Sequence, residues 1–258
     1  MRDPDFIIIG AQKSGTTWLV DMLQEHQDIY IDREEIHYFD TNYDKGVEWY
    51  LSHFGNAGEC KIVGEKTPDY FGLSSSVSSL INKDLPSVKL ILILRDPIER
   101  AISAYNHYVR TTFLSPLNDI DEYFTQALNG NDYLNIINYS RYKTRLEDFT
   151  KKFGENRLLV LSYEDMVSKK RFTLNKVESF LKVTPKVNYN FSKKSNAFNK
   201  SFIGLLISYY FPRLNKIGWQ FDKIFKNYKQ KPTQEILNSL KLELAESIEV
   251  HKQLKKYD

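Results

Sequence analysis

The chain has 258 residues, 41% of them apolar and 27% charged, an ordinary globular composition with enough length to bury a sizeable core. A formal net charge of +3 suggests an anionic ligand or surface more than a dedicated nucleic-acid binder. The single cysteine, Cys60, excludes an internal disulfide framework and any multi-cysteine metal site, and is expected to be a plain half-buried thiol in a reducing compartment.

The first apolar run, residues 6–9, reads as an interior strand, and residues 17–25 follow it with a helical pattern. Between them lies GAQKSGTT, in which Gly10 permits a sharp turn and Gly15 a close backbone approach to a ligand. The helix N-terminus would aim free N–H groups and a positive dipole end at that loop. Lys13 lies within reach, and Ser14, Thr16 and Thr17 add hydroxyl donors. Strand, glycine loop and helix together specify an anion site. A metal-bound nucleoside triphosphate would want lysine directly after the second glycine, but Thr16 stands there.

Next comes REEIHYFD, residues 33–40. On an extended segment Glu35 and His37 share one face, while Ile36 and Tyr38 share the other. A solvated acid and a structural histidine would satisfy the same pattern. Residues 47–54 look helical, 61–64 form a weaker strand, and VGEKTPDYF, residues 63–71, follows. Residues 89–94 are a strand ending at Arg95, where ligands of open α/β sheets sit. The helix of 97–109 starts with Pro97 and carries Arg100 and Ser103. An arginine fork with a serine hydroxyl suits a phosphate dianion, although surface ion pairing would use the same arginines. Residues 111–139 read as a polar loop-and-helix excursion, 140–153 and 170–181 as helices, and 157–161 as a third firm strand.

From 193 to 232 eight lysines and Arg213 stand against one acid, Asp222, with aromatics interleaved. This part could cover an acceptor, meet an anionic membrane or bind a partner, or could be a helical cap with solvated lysines. Leu237, Leu240, Leu244 and Ile248 then predict one terminal amphipathic helix. Strands alternating with helices predict an α/β fold: a P-loop-like central parallel sheet flanked by helices on both faces, with a helical C-terminal region. With no repeat or linker, residues 1–258 are expected to form a single domain that includes 193–258. No charged leader precedes the first strand and the apolar runs are too short to span a bilayer, so a soluble, cytoplasmic chain is expected, with an upstream anchor left open.

Two of these motifs resemble those of the sulfotransferases that use 3′-phosphoadenosine 5′-phosphosulfate (PAPS). GAQKSGTTWL is similar to their 5′-phosphosulfate loop, LRDPIERAISAY to their 3′-phosphate motif, and SYEDM, residues 162–166, to a later family segment. The resemblance implies that Gly10, Gln12, Lys13, Ser14, Gly15, Thr16 and Thr17 hold the 5′-phosphosulfate. It implies that Lys13 neutralises the leaving oxygen without a metal ion, and that Arg95 and Ser103 hold the 3′-phosphate. Tyr163 would meet the adenine, and Lys194, between Lys193 and Ser195, would contact phosphate, although the glycine usual after such a pair is absent.

REEIHYFD further resembles the Lys-Glu-x-His-Phe-Phe-Asp segment of the heparan sulfate 3-O-sulfotransferases, with Glu34 in place of the lysine. NYDKGVEWYLSHF and VGEKTPDYF resemble the same branch. By that likeness Glu35 is the general base, His37 and Asp40 orient or help it, Lys66 faces the acceptor or the departing phosphate, and Lys66 and Asp40 lie on the substrate side. The expected donor is PAPS, the product adenosine 3′,5′-bisphosphate (PAP), and the acceptor a glycan, lipid or small alcohol, with no metal and no nucleic acid. A P-loop kinase and a non-catalytic nucleotide- or polyanion-binding module are the alternatives.

Overall fold

A computed structural model describes residues 2–73, 75–192 and 200–254. In chain order the elements are β1 (Phe6–Gly10), α1 (Thr16–Leu23), β2 (Ile29–Ile31), α2 (Val47–Ser52), β3 (Ile62–Lys66), α3 (Ser75–Asp84), β4 (Lys89–Leu94), α4 (Pro97–Arg110) and α5 (Ile120–Leu128). They continue with α6 (Lys143–Arg157), β5 (Leu158–Ser162), α7 (Tyr163–Ser168), α8 (Lys170–Leu181), α9 (Phe202–Tyr210), α10 (Asn215–Ile224), α11 (Gln234–Glu243) and α12 (Ala245–Leu254).

The five strands form one parallel sheet in the order β2-β3-β1-β4-β5. Because side chains alternate along a strand, Ile7 and Ile9 of β1 and Leu90, Leu92 and Leu94 of β4 enter one core with α2, α3 and α6. Phe6, Ile8, Ile91 and Ile93 enter a second core with α1 and α8. Burial on both faces explains why β1 and β4 are apolar without interruption. The expected α/β architecture is therefore the observed one.

Contacts divide the described chain into two compact units. Residues 1–97, 141–195 and 246–258 hold the sheet; residues 98–140 and 196–245 form a helical unit. Within the helical unit Asp119 caps α5, accepting from the N–H groups of Asp121 and Glu122. Gln230 exchanges two hydrogen bonds with Asn106, and its side chain accepts from the N–H of Ile120 and donates to the carbonyl of Asn118.

Several expectations shift. β2 and α3 were not foreseen, because β2 is only three residues long and α3 begins in serines, which favour loops and caps. The expected terminal helix is two, α11 and α12, separated at Leu244, whose φ and ψ of −102° and 16° leave the helical range. Leu240 and Leu244 are buried, whereas Leu237 and Ile248 are only partly so. Lys193, Lys194 and Ser195 lie outside the described residues.

Candidate active site

The glycine loop follows the central strand β1. Gly10 has φ 149°, and a Cβ there would stand 2.8 Å from the carbonyl oxygen of Pro68 and 2.9 Å from Cβ of Phe71. The chain then turns through Lys13 and Gly15, at φ 69° and 86°. A Cβ on Gly15 would meet the flexible end of Met166 at 2.2 Å and the Tyr163 ring at 3.2 Å, so glycine is demanded by conformation and favoured by space. No side chain caps α1, whose first-turn N–H groups have no partner within the helix. The hydroxyl of Ser14 is fully buried and has no hydrogen-bond partner among the described residues. A dipole end beside an unsatisfied buried donor fits a phosphate-bearing ligand.

Arg95 leaves the end of β4. Its guanidinium lies 4.8 Å over the Tyr163 ring, and its Nη1 donates to the carbonyl of Lys13 at 3.4 Å. The peptide group that follows it is held at both of its polar atoms, each in two steps. Tyr142 donates its hydroxyl to the Arg95 carbonyl at 3.0 Å, and the Tyr142 N–H donates to Ser247 Oγ of α12 at 2.8 Å. The Asp96 N–H donates to Glu164 at 3.1 Å, and the other oxygen of Glu164 meets His251 Nε2 of α12 at 2.7 Å. Burial opposes the charge of Glu164, but the His251 and Asp96 hydrogen bonds outweigh it and bring its pKa down to about 2. Ser103 lies part-buried on α4 in the helical unit. Arg100 is not a surface residue. It is fully buried and donates to Ser140 Oγ at 2.8 Å and to the carbonyl of Ile136.

Beyond β2 the chain forms no regular element through 35–37, and it turns at His37, whose φ is 53°. Ile36 and Tyr38 are buried, and on the opposite side Glu35 lies 3.4 Å from His37 Nε2. Lys66, at the end of β3 and only 6% exposed, holds the other oxygen of Glu35 at 2.6 Å. Asp40 meets His37 Nδ1 at 2.7 Å and accepts from the Thr41 N–H at 2.8 Å, so both of its oxygens are occupied within the protein. Burial lowers the pKa of His37, but the Asp40 hydrogen bond and charge, with Asp69 and Glu35, override it and leave the value raised.

Two residues of this site were not foreseen. Asp69 accepts from Gln12 at 3.2 Å, linking the glycine loop to the cluster, and offers an oxygen within 4.8 Å of ligand atoms of Glu35 and His37. Such a trio could attract a cation, but the Lys66 ammonium already occupies the same carboxylate. Glu65, its neighbour on β3, is 2% exposed and accepts from the hydroxyls of Tyr50 at 2.9 Å and Thr67 at 3.0 Å. The Thr67 hydroxyl also accepts from the N–H of His37 at 3.4 Å. Burial drives the Glu65 pKa up to about 7, against both hydroxyl hydrogen bonds. Both residues stood in VGEKTPDYF, where the resemblance gave a role to Lys66 alone.

Glu35, Lys66, Lys13, Arg95 and Tyr163 thus follow the C-terminal ends of β2, β3, β1, β4 and β5, taken across the sheet. This is the edge where open α/β sheets bind ligands, with the glycine loop at the switch point between β3 and β4. Fold and loop together define a P-loop-type α/β protein.

The sulfotransferase-domain family model matches residues 3–201, and the chain belongs to that family. It is 33% identical over 184 residues to human heparan sulfate glucosamine 3-O-sulfotransferase 3B1, covering 69% of this chain and 46% of the relative. It is 32% identical over 197 residues to human heparan sulfate glucosamine 3-O-sulfotransferase 5, covering 72% and 56%. The chain therefore spans about half the length of these curated relatives. Among solved structures, a sulfotransferase from Alicyclobacillus acidocaldarius superposes with TM-score 0.65 at 19% identity, covering 95% of this chain and 97% of that one. Mouse sulfotransferase SULT7A1 complexed with PAP gives 0.59 at 18%, covering 100% and 89%. At such identities the structures establish a shared fold. Among the described residues no helix is long and apolar enough to cross a membrane.

Proposed function

We propose that this chain transfers a sulfuryl group from PAPS to a hydroxyl or amine of an acceptor, a glycan before a lipid or small alcohol, with Glu35 as general base. The observation that carries the reading is the sharing of one sheet edge by an anion loop on β1, an arginine on β4 and a lysine-held carboxylate beyond β2. The names of the 3-O-sulfotransferase relatives favour a sugar hydroxyl.

When bound, the donor supplies a sulfuryl group on a 5′-phosphate leaving group. Gly10, Gln12, Lys13, Ser14, Gly15, Thr16 and Thr17 would hold that phosphosulfate, Arg95 and Ser103 the 3′-phosphate, Tyr163 the adenine, and Lys194 a further phosphate oxygen. Lys66 fixes one oxygen of Glu35 and His37 stands beside the other, with Asp40 orienting the His37 ring. Glu35 takes the acceptor's proton as the acceptor oxygen bonds to sulfur and the sulfur–oxygen bond to the phosphate breaks. Lys13 meets the electron pair left on the phosphate, a task of positioning and charge stabilisation that requires no metal.

Calorimetric titration with PAP, beside ATP–Mg²⁺ as control, tests the donor half. PAP binding that persists in EDTA and weakens in Arg95→Ala is expected; a preference for ATP–Mg²⁺ would return the loop to the kinases. The base is tested by turnover. Glu35→Gln should lose about 10²–10⁴-fold in kcat while still binding PAP, and near-native turnover in that variant would reject the assignment.

A further inference from the structure

The helical unit carries a hairpin of α9 and α10 joined through residues 211–214. Its inner contact is made by backbone: a Cβ on Gly218 would stand 3.3 Å from the carbonyl oxygen of Gly204, and one on Gly204 would collide with the Asp222 carboxylate. Leu205 is buried, but most of the large apolar side chains of α10 are exposed. Ile217, Phe221 and Ile224 recur at i, i+4 and i+7 on one face of α10, Leu214 and Phe225 flank the helix, and Trp219 is exposed on another side of it. Ile224 is 75% exposed, Phe225 49%, Leu214 47% and Ile217 46%. Phe202, Ile203 and Tyr210 of α9 are exposed as well.

The charge around this row is of one sign. Arg213, Lys216, Lys223, Lys226, Lys229 and Lys231 are all exposed. The single acid between residues 200 and 232, Asp222, is already engaged, accepting from the Ser201 N–H at 2.6 Å and its hydroxyl at 2.9 Å. Two demands must therefore be met by one partner: apolar side chains need burial and a belt of cations needs anions.

We propose that the α9–α10 hairpin docks on an anionic lipid bilayer, with its apolar row at the acyl boundary and its cations among the phosphates. A helix lying in the interface satisfies both demands at once, and lysine stems can reach from one level to the other. A second copy of the chain would bring like charges face to face. A polyanionic glycan would leave the apolar row in water. The contact is with one leaflet, and it stands independently of the sulfuryl-transfer reading.

The test is co-sedimentation of the full chain with vesicles of phosphatidylcholine alone and with 30% phosphatidylserine, in low and high salt. Binding to the acidic vesicles that falls with salt is expected. Each lysine near such a surface contributes roughly fivefold in partitioning. The variant Lys216→Glu/Lys223→Glu/Lys226→Glu should therefore lose at least about a hundredfold. Ile217→Ser/Ile224→Ser, which changes only exposed side chains, should lose on the order of tenfold or more. Circular dichroism and thermal melting should be unchanged in both, separating lost docking from lost folding. Any of three results would overturn the proposal: no partitioning, partitioning indifferent to lipid charge, or self-association that accounts for the sedimentation. So would a soluble acidic protein or heparin binding this face while vesicles do not.

Discussion

Gly15 shows how little freedom a single position in the donor loop has. Its φ of 86° disfavours any side chain, and Met166 and Tyr163 fill the space where one would go. Gly15→Ala should lower thermal stability by about 1–3 kcal/mol and weaken PAP binding, because the flexible end of Met166 can swing aside but the left-handed φ and the tight Tyr163 ring still press on the loop. A variant with wild-type PAP affinity in calorimetry would show that the loop can absorb the methyl group. At Glu35 the concern is orientation. Lys66→Ala removes the ammonium 2.6 Å away and frees one oxygen, so it should cut kcat more than PAP affinity, and steady-state kinetics beside calorimetry would separate the two. Asp69, which ties Gln12 to this cluster, escaped sequence reasoning because an acid after proline has no local signature; only the contact across 57 residues gives it a role.

The elements differ in legibility for physical reasons. β4 and α8 were readable to the residue, since strands buried on both faces are continuously apolar and helix faces repeat every three or four residues. β2 escaped because three residues at a sheet edge carry no period, and α3 because its serines resemble a loop. For Arg100 the surface alternative fails: a charged side chain suggests a surface until a partner such as Ser140, 40 residues away, is known. α12 was foreseen only as an amphipathic helix, whereas its buried Ser247 and His251 brace the Arg95–Asp96 peptide group through Tyr142 and Glu164. His251→Ala should therefore raise the dissociation constant for PAP several-fold while leaving kcat at saturating donor nearly unchanged. A fall in kcat with unchanged PAP affinity would assign α12 a different part.

At the scale of the whole molecule, three groups predict an uneven pH dependence of stability. Glu164, with a folded pKa lowered from 4.5 to about 2, contributes stability above its unfolded pKa that is lost as pH falls through that window. Glu65 acts oppositely. Its value rises from 4.5 to about 7, so the folded state binds the extra proton and stability declines as pH climbs across that interval, by about 3 kcal/mol. His37, also raised, contributes below its unfolded pKa and loses that contribution as pH rises through the folded one. Tm should peak near the lower end of the Glu65 interval rather than at neutrality. Glu65→Gln should flatten the decline above the peak, and a Tm curve identical to wild type would deny the buried carboxyl its cost. The bracing of Arg95 also has a consequence in time. His251 leaves the ribosome 87 residues after Glu164, roughly 4–17 s later at ordinary synthesis rates. A nascent chain would therefore present its glycine loop with the arginine unbraced, and tight nucleotide capture would mark a polypeptide that has emerged through its last braced helix.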